Sequence, residues 1–98
     1  MLFVIATLSL EPGTADAFVA ATRNLLQETR KEPGCLSYDL NADVTDATKL
    51  VFVERWESRA ALDAHFRTPH IAAWRETALK HVKSRRIEII ENATVQVI

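Results

Sequence analysis

The pattern of apolar and polar positions predicts four short strands along this chain. They are Leu2 to Leu10, which is rich in β-branched and large apolar residues, Cys35 to Asn41, which alternates between apolar and polar positions, Leu50 to Glu57, and Arg85 to about Asn92. Asp43 to Thr48, between the second and third segments, is polar turn material. The pattern therefore predicts that the second and third strands form a hairpin.

Helical spacing replaces the alternation in the two longer gaps. Thr14 is a candidate N-cap for a helix from about Ala15 to Lys31, in which the apolar residues share one face. Ser58 is placed to cap a short helix that continues through Phe66. A proline then starts another helix, from about Pro69 or His70 to Val82.

The element order β-α-β-β-α-α-β is typical of a ferredoxin-like α+β sandwich, in which the helices cover one face of a four-stranded antiparallel sheet. Ninety-eight residues are enough for one such domain, spanning 1–98, with one modest core.

The other sheet face is predicted to be apolar as well. Phe3 and Ile5 alternate with the main apolar set of the first strand, and Val51 and Val53 do the same in the third. Each large side chain left in water would forfeit roughly 1.5–3 kcal/mol. We therefore expect a homodimer in which the helix-free faces pack together, with the apolar tail from Ala93 to Ile98 reaching across. A free apolar patch used by another partner is the alternative.

Charge and composition narrow the function classes. The formal net charge of −1 favours neither nucleic acid nor an anionic membrane. Cys35 is the single cysteine, which fits a reducing compartment, and the apolar first ten residues lack the basic start of a signal peptide. We therefore expect a cytoplasmic protein. The chain has no glycine-rich phosphate loop, so no nucleotide cofactor of the usual kind is expected.

The third strand carries the most informative polar residue. A period of two places Leu50, Phe52, Glu54 and Trp56 on one face, so an acidic side chain stands among apolar neighbours. Such a carboxylate must find a partner or shift its pKa upward. One interpretation is an ion pair with an arginine of the helices, such as Arg75. The other is a carboxylate lining a pocket between sheet and helices, where it orients a phenol or takes its proton. The two interpretations are compatible.

Two histidines and several aromatic residues follow the third strand. His65 and His70 lack the i, i+4 spacing of a helical metal pair, and no other ligands cluster with them in the sequence, so no metal site is expected. His65 is the stronger functional candidate because it follows Glu54 and Trp56 closely. Trp74 is interpreted as core packing, and His81 as a cation at the end of the last helix.

The segment from Val51 to His70 resembles the E-x-W-E-S…H…P-H signature of the antibiotic biosynthesis monooxygenase family, and Glu32 to Leu40, E-P-G-C-L-S-Y-D-L, extends the resemblance. The resemblance implies a dimer of sheets and oxidation of phenolic or anthrone-like aromatics by O₂ without metal, flavin or haem. The overall likeness is greatest to the bacterial quinol monooxygenases.

Members of the family differ at the site. In the polyketide-oxidising members a Trp and an Arg are implicated, and the similar positions here are Trp56 and Arg75. Those members also use an Asn and a Tyr where this chain has Phe52 and Leu62. The haem-degrading relatives need an Asn, a Trp and a His, and the chain has other residues there: Thr7, His65 and Arg75.

The sequence leaves three functional hypotheses. The first is a cofactor-independent monooxygenase acting with O₂ on a quinol or related small aromatic. The second is an isomerase similar to the phospho-autoinducer-processing relatives, and the third is a non-catalytic small-ligand-binding dimer. The predicted catalytic residues are Glu54, Trp56, His65 and Arg75; the predicted substrate-binding residues are Tyr38, Phe52, Phe66 and His70.

Overall fold

The computed structural model describes the whole chain, Met1–Ile98. Its strands and helices follow the predicted order: β1 Leu2–Leu10, α1 Ala15–Thr29, β2 Cys35–Ala42, β3 Lys49–Trp56, α2 Arg59–His65, α3 Pro69–Thr77 and β4 Val82–Ile90, with a short 3₁₀ turn at Leu79–His81.

The four strands form one antiparallel sheet in the order β2-β3-β1-β4. This arrangement confirms the predicted ferredoxin-like α+β class. Glu54 of β3 lies between Val4 of β1 and Tyr38 of β2 in the register. A polar residue is thus held at the centre of the sheet, on the face that the helices cover.

Burial along β1 shows how the sheet divides its two faces. Every second residue from Leu2 to Leu10 is buried under the helices, whereas Phe3 and Ile5 between them are only half-buried. The period of two sends one set toward Phe18 and Leu25 of α1 and the other set to the opposite face. The core therefore lies on one side of the sheet.

The last helix is shorter than the sequence predicts. Helix α3 ends at Thr77, and His81 lies in the 3₁₀ turn rather than in the helix. Strand β4 begins at Val82, where the predicted helix would end, because Val82 pairs with Leu10 of β1. Sheet pairing thus takes precedence over a helical pattern that continued through these positions.

The helix-free face carries a central apolar strip. Phe3 and Ile5 of β1 stand beside Val51 and Val53 of β3 on this face, all half-buried, and the Arg55 guanidinium lies 5.3 Å from the centre of the Phe3 ring. The final residues, 91–98, form no helix or strand. None of the helices is both long and apolar enough to cross a membrane.

Candidate functional site

A cavity of about 80 Å³ lies between the helix-covered face of the sheet and helices α2 and α3. All four strands and both helices contribute to its wall, which is mostly apolar and includes one carboxyl, one imidazole and two guanidinium groups. The lining residues are Ala6, Leu8, Tyr38, Phe52, Glu54, His65, Phe66, Ile71, Trp74, Arg75, Arg85 and Ile87.

Aromatic rings form one side of this cavity. The Tyr38 and Phe52 rings lie 5.4 Å apart, and Trp74 meets Phe52 edge-on at 6.0 Å. Trp74 Nε1 donates a hydrogen bond of 3.0 Å to Thr22 Oγ1, which fixes the indole against α1. Trp74 was predicted only as core packing, and its helical position gave no sign that it faces a cavity.

Glu54 is the buried acid of the cavity. The residue is 6% exposed, and its carboxyl accepts a hydrogen bond of 2.9 Å from Trp56 Nε1. Burial raises the pKa of Glu54 to about 7, because the charged form loses its hydration; the Trp56 hydrogen bond opposes the shift, and the negative charge of Glu32 adds to it. The ion pair with Arg75 considered from the sequence is not formed. Glu54 is thus a carboxyl whose pKa lies near neutrality.

His65 is the second titratable group, 2% exposed at the end of α2. Its Nδ1 lies 2.7 Å from Oε2 of Glu32. Burial lowers the pKa of His65, with the Glu32 hydrogen bond and charge acting in the opposite direction and the charges of His70 and Arg75 adding to the lowering. A neutral imidazole, with one nitrogen held by Glu32, therefore faces the cavity.

Glu32 and His70 lie just outside the cavity. His70 Nε2 is also 2.7 Å from Oε2 of Glu32, and its ring borders a separate surface cleft together with Asn24 and Glu28. His70, which the sequence predicted as a substrate-binding residue, lies behind His65 and does not line the cavity. Glu32 was not predicted at all, because nothing in the spacing of a turn residue reveals a contact with two histidines more than thirty positions away.

Trp56, which the sequence predicted as a catalytic residue, does not form a wall of the cavity. The indole is fully buried, its ring centre 4.9 Å from that of His65. The period of two places Trp56 on the expected face of β3, but it lies beyond Glu54 in the core. Its hydrogen bond to the site is the one that Nε1 donates to the Glu54 carboxyl.

Three other predicted residues line the cavity. Burial, followed by the charge of Glu54, raises the pKa of Tyr38, so its phenol remains protonated and able to donate a hydrogen bond. Phe66 is 37% exposed. Arg75 is exposed and is joined by Arg85 of β4, which the sequence did not single out; neither arginine forms an ion pair within the chain. The exposed part of the wall is thus basic.

One group of side chains has the donor set of a metal site. The nearest ligand atoms of Glu32, His65 and His70 all lie within 4.8 Å of one another. In a tetrahedral zinc site with bonds of 2.0–2.1 Å, ligand atoms stand about 3.3 Å apart. Both histidine nitrogens instead lie 2.7 Å from one carboxylate oxygen, which is the length of a hydrogen bond.

Comparison with known proteins gives a consistent picture. The family model described as antibiotic biosynthesis monooxygenase matches residues 1–77. The chain is 33% identical over 101 residues to the Escherichia coli K12 protein named probable quinol monooxygenase YgiN, covering 93% of this chain and 97% of that protein. It is also 36% identical over 69 residues, 70% of this chain, to uncharacterized protein sll1783 of Synechocystis, but spans only 47% of that protein's length.

The fold comparison agrees with the sequence comparison. The crystal structure of an antibiotic biosynthesis monooxygenase superimposes on this chain with a TM-score of 0.88 at 35% identity. The match covers 96% of this chain and 100% of the other.

Proposed function

Because the chain belongs to the antibiotic biosynthesis monooxygenase family, we propose that it is a cofactor-independent monooxygenase that oxidises a quinol or related phenolic compound with O₂. The observation that carries this proposal is the buried Glu54 carboxyl. Its pKa is about 7, and it lies in a cavity walled by aromatic rings. A general base works best when its pKa lies near the operating pH.

The reaction begins with removal of the two phenolic protons of the quinol, one by Glu54 and one by the free Nε2 of His65. The resulting phenolate is electron-rich and passes an electron to O₂, and the two radicals combine at a ring carbon to give a hydroperoxide. Loss of water from the hydroperoxide leaves a hydroxyquinone. One oxygen atom enters the ring, the other leaves as water, and the quinol supplies all four electrons, so no separate reductant is needed.

The walls suit such a substrate in chemistry but leave little space. Tyr38, Phe52 and Trp74 offer ring edges and faces to a planar aromatic compound, and the protonated Tyr38 phenol is a hydrogen-bond donor for the phenolate. A cavity of about 80 Å³ is smaller than a typical ligand pocket of ~300–1,000 Å³. Binding therefore requires widening at the exposed side chains Phe66 and Ile87.

The test is oxygen uptake by the purified protein with hydroquinone and 1,4-naphthohydroquinone, corrected for autoxidation without protein. With ¹⁸O₂, one labelled atom should appear in the quinone product. Glu54→Gln should lower kcat by about 10²–10⁴-fold. The matched control is Glu88→Gln, which removes a carboxylate from the helix-free face of β4. Uptake no faster than autoxidation would refute the proposal and leave the isomerase and the non-catalytic ligand-binding hypotheses.

A second function is favoured by the arginines of the cavity. An isomerase acting on a phosphorylated substrate needs a cationic phosphate site, and Arg75 and Arg85 line the cavity without carboxylate partners. Glu54 and His65 would then move a proton between neighbouring carbons without O₂. Exchange of deuterium from solvent into a phosphorylated hydroxyketone under anaerobic conditions would identify this activity.

A further inference from the structure

Two histidines from different helices converge on one carboxylate oxygen behind the cavity. Oε2 of Glu32 lies 2.7 Å from Nδ1 of His65 and 2.7 Å from Nε2 of His70. The side chains are 10%, 2% and 15% exposed, in the order Glu32, His65, His70. These contacts are therefore shielded from water. Hydrogen bonds to a charged group contribute most in such shielded surroundings.

The bridge determines which nitrogen of His65 is free. An ionised glutamate only accepts hydrogen bonds, so Nδ1 of His65 must carry the proton that it shares with Glu32. The other ring nitrogen, Nε2, then holds a lone pair. Since His65 lines the cavity and Nδ1 is occupied, Nε2 is the atom available to take a proton from a bound phenol.

The chain holds Glu32 in place from both sides. Its amide donates to the Thr29 carbonyl at 3.0 Å, and its carbonyl accepts from the Cys35 amide at 3.1 Å. Gly34 follows with φ +84°, and a Cβ at that position would lie 2.6 Å from Cβ of Ala61 in α2. The glycine thus lets the Glu32 turn approach the helix that carries His65. The acceptor is positioned before any substrate arrives.

We propose that Glu32 is a positioning residue that fixes the tautomer of His65 and stabilises the imidazolium formed when Nε2 takes the substrate proton. The inference rests on the proposed function. Glu32 would act like the carboxylate of serine-protease triads, which orients a histidine without touching the substrate. His70 holds the same oxygen from the side of the outer cleft. The proton gained at Nε2 of His65 is later returned to the reduced oxygen.

The charged and titratable groups around His65 come from several elements. Glu32 and His70 contact it through the bridge, the Tyr38 ring of β2 lies 5.3 Å away, and Arg75 acts on it through its charge. Glu54 of β3 lines the same cavity. Glu32 is the group among them that directly accepts a hydrogen bond from the His65 ring.

The first experiment measures the tautomer itself. Long-range ¹⁵N–¹H NMR of the native protein above pH 7 should show His65 protonated at Nδ1 and bare at Nε2, and Glu32→Gln should disturb this state. Glu28→Gln, one turn earlier on α1, is the matched control and should leave it unchanged. A His65 protonated at Nε2 in the native protein would overturn the inference, whatever the variants do and whether or not O₂ is consumed.

The second experiment measures turnover. Glu32→Gln should lower kcat by about 10²-fold or more while changing KM by less than about threefold, because the residue acts on the base and not on the substrate. His70→Gln keeps an N–H donor for Oε2 and should retain most of the activity, whereas His70→Ala should not. Active wild-type protein with an equally active Glu32→Gln variant would refute the positioning role; inactive wild type would refute the proposed function instead.

Discussion

The indole of Trp56 donates a hydrogen bond of 2.9 Å to the carboxyl of Glu54, two residues earlier on the same face of β3. This contact joins a fully buried aromatic residue to the acid of the cavity. It stabilises the charged form of Glu54, against a larger effect of burial that raises its pKa. The indole therefore influences the site by changing the proton affinity of Glu54, and not by contact with a ligand.

Replacing Trp56 tests this relationship. Trp56→Phe removes the N–H donor, so the pKa of Glu54 should rise further above 7. A ¹³C NMR titration of the Glu54 carboxyl measures the change in its pKa directly. The pH at which kcat/KM rises should move upward as well. Trp74→Phe is the matched control, since its indole donates to Thr22 and not to Glu54. An unchanged Glu54 titration in Trp56→Phe would contradict the role given to the hydrogen bond.

Glu54 should make folding stability depend on pH. Its pKa is about 7 in the folded protein against an ordinary value of 4.5. The folded state therefore binds more protons between these values, and stability falls as pH rises through that window. The difference corresponds to at most about 3 kcal/mol.

The variant Glu54→Gln should abolish this loss. It should be more stable than the wild type at pH 8, and the gain should disappear at pH 4, where Glu54 is protonated in both states. The lowered pKa of His65 acts in the opposite direction, because it reduces folding stability as pH falls below the ordinary pKa of histidine. This effect is the same in the wild type and in the variant. Urea unfolding at the two pH values is the measurement. A stability difference independent of pH would show that the Glu54 pKa is not raised.

The sequence predicts local features of the site better than distant contacts. The period of two along β3 correctly places Phe52 and Glu54 on the helix-covered face, because strand geometry alone fixes that relation. The period of two does not reveal that Trp56 lies below the cavity and not in its wall. Depth in a core depends on how the helices pack, and here His65 of α2 lies against the fully buried indole, with the ring centres 4.9 Å apart.

Glu32 marks the limit of sequence reasoning more clearly. It directly follows the predicted end of α1 at about Lys31, but its partners His65 and His70 lie on other helices. Only the close approach of Gly34 to Ala61 brings the carboxylate to them. The same reason explains why Arg75 does not pair with Glu54: charge complementarity suggested a contact that the packing does not make.

The two arginines at the cavity predict a preference for anionic substrates. Arg85→Ala should raise KM for 1,4-dihydroxy-2-naphthoate by about tenfold or more, the loss expected for one charged hydrogen bond, with little effect on 1,4-naphthohydroquinone. Arg86→Ala is a close control, because Arg86 pairs with Thr7 on the opposite face of the sheet. Equal effects of Arg85→Ala and Arg86→Ala would refute a specific anion contact. An equal effect of Arg85→Ala on both quinols would refute it as well.

The helix-free sheet face predicts the oligomeric state. Phe3, Ile5, Val51 and Val53 form an apolar strip that no helix of this chain covers, and a second copy would present the same strip in a two-fold arrangement. We expect a homodimer at micromolar concentration in sedimentation equilibrium. Ile5→Glu should yield monomers, because it places a charge at the centre of the strip. Val44→Glu adds the same charge at a fully exposed turn position and should leave the dimer intact. A well-folded wild-type monomer at that concentration would contradict this assembly.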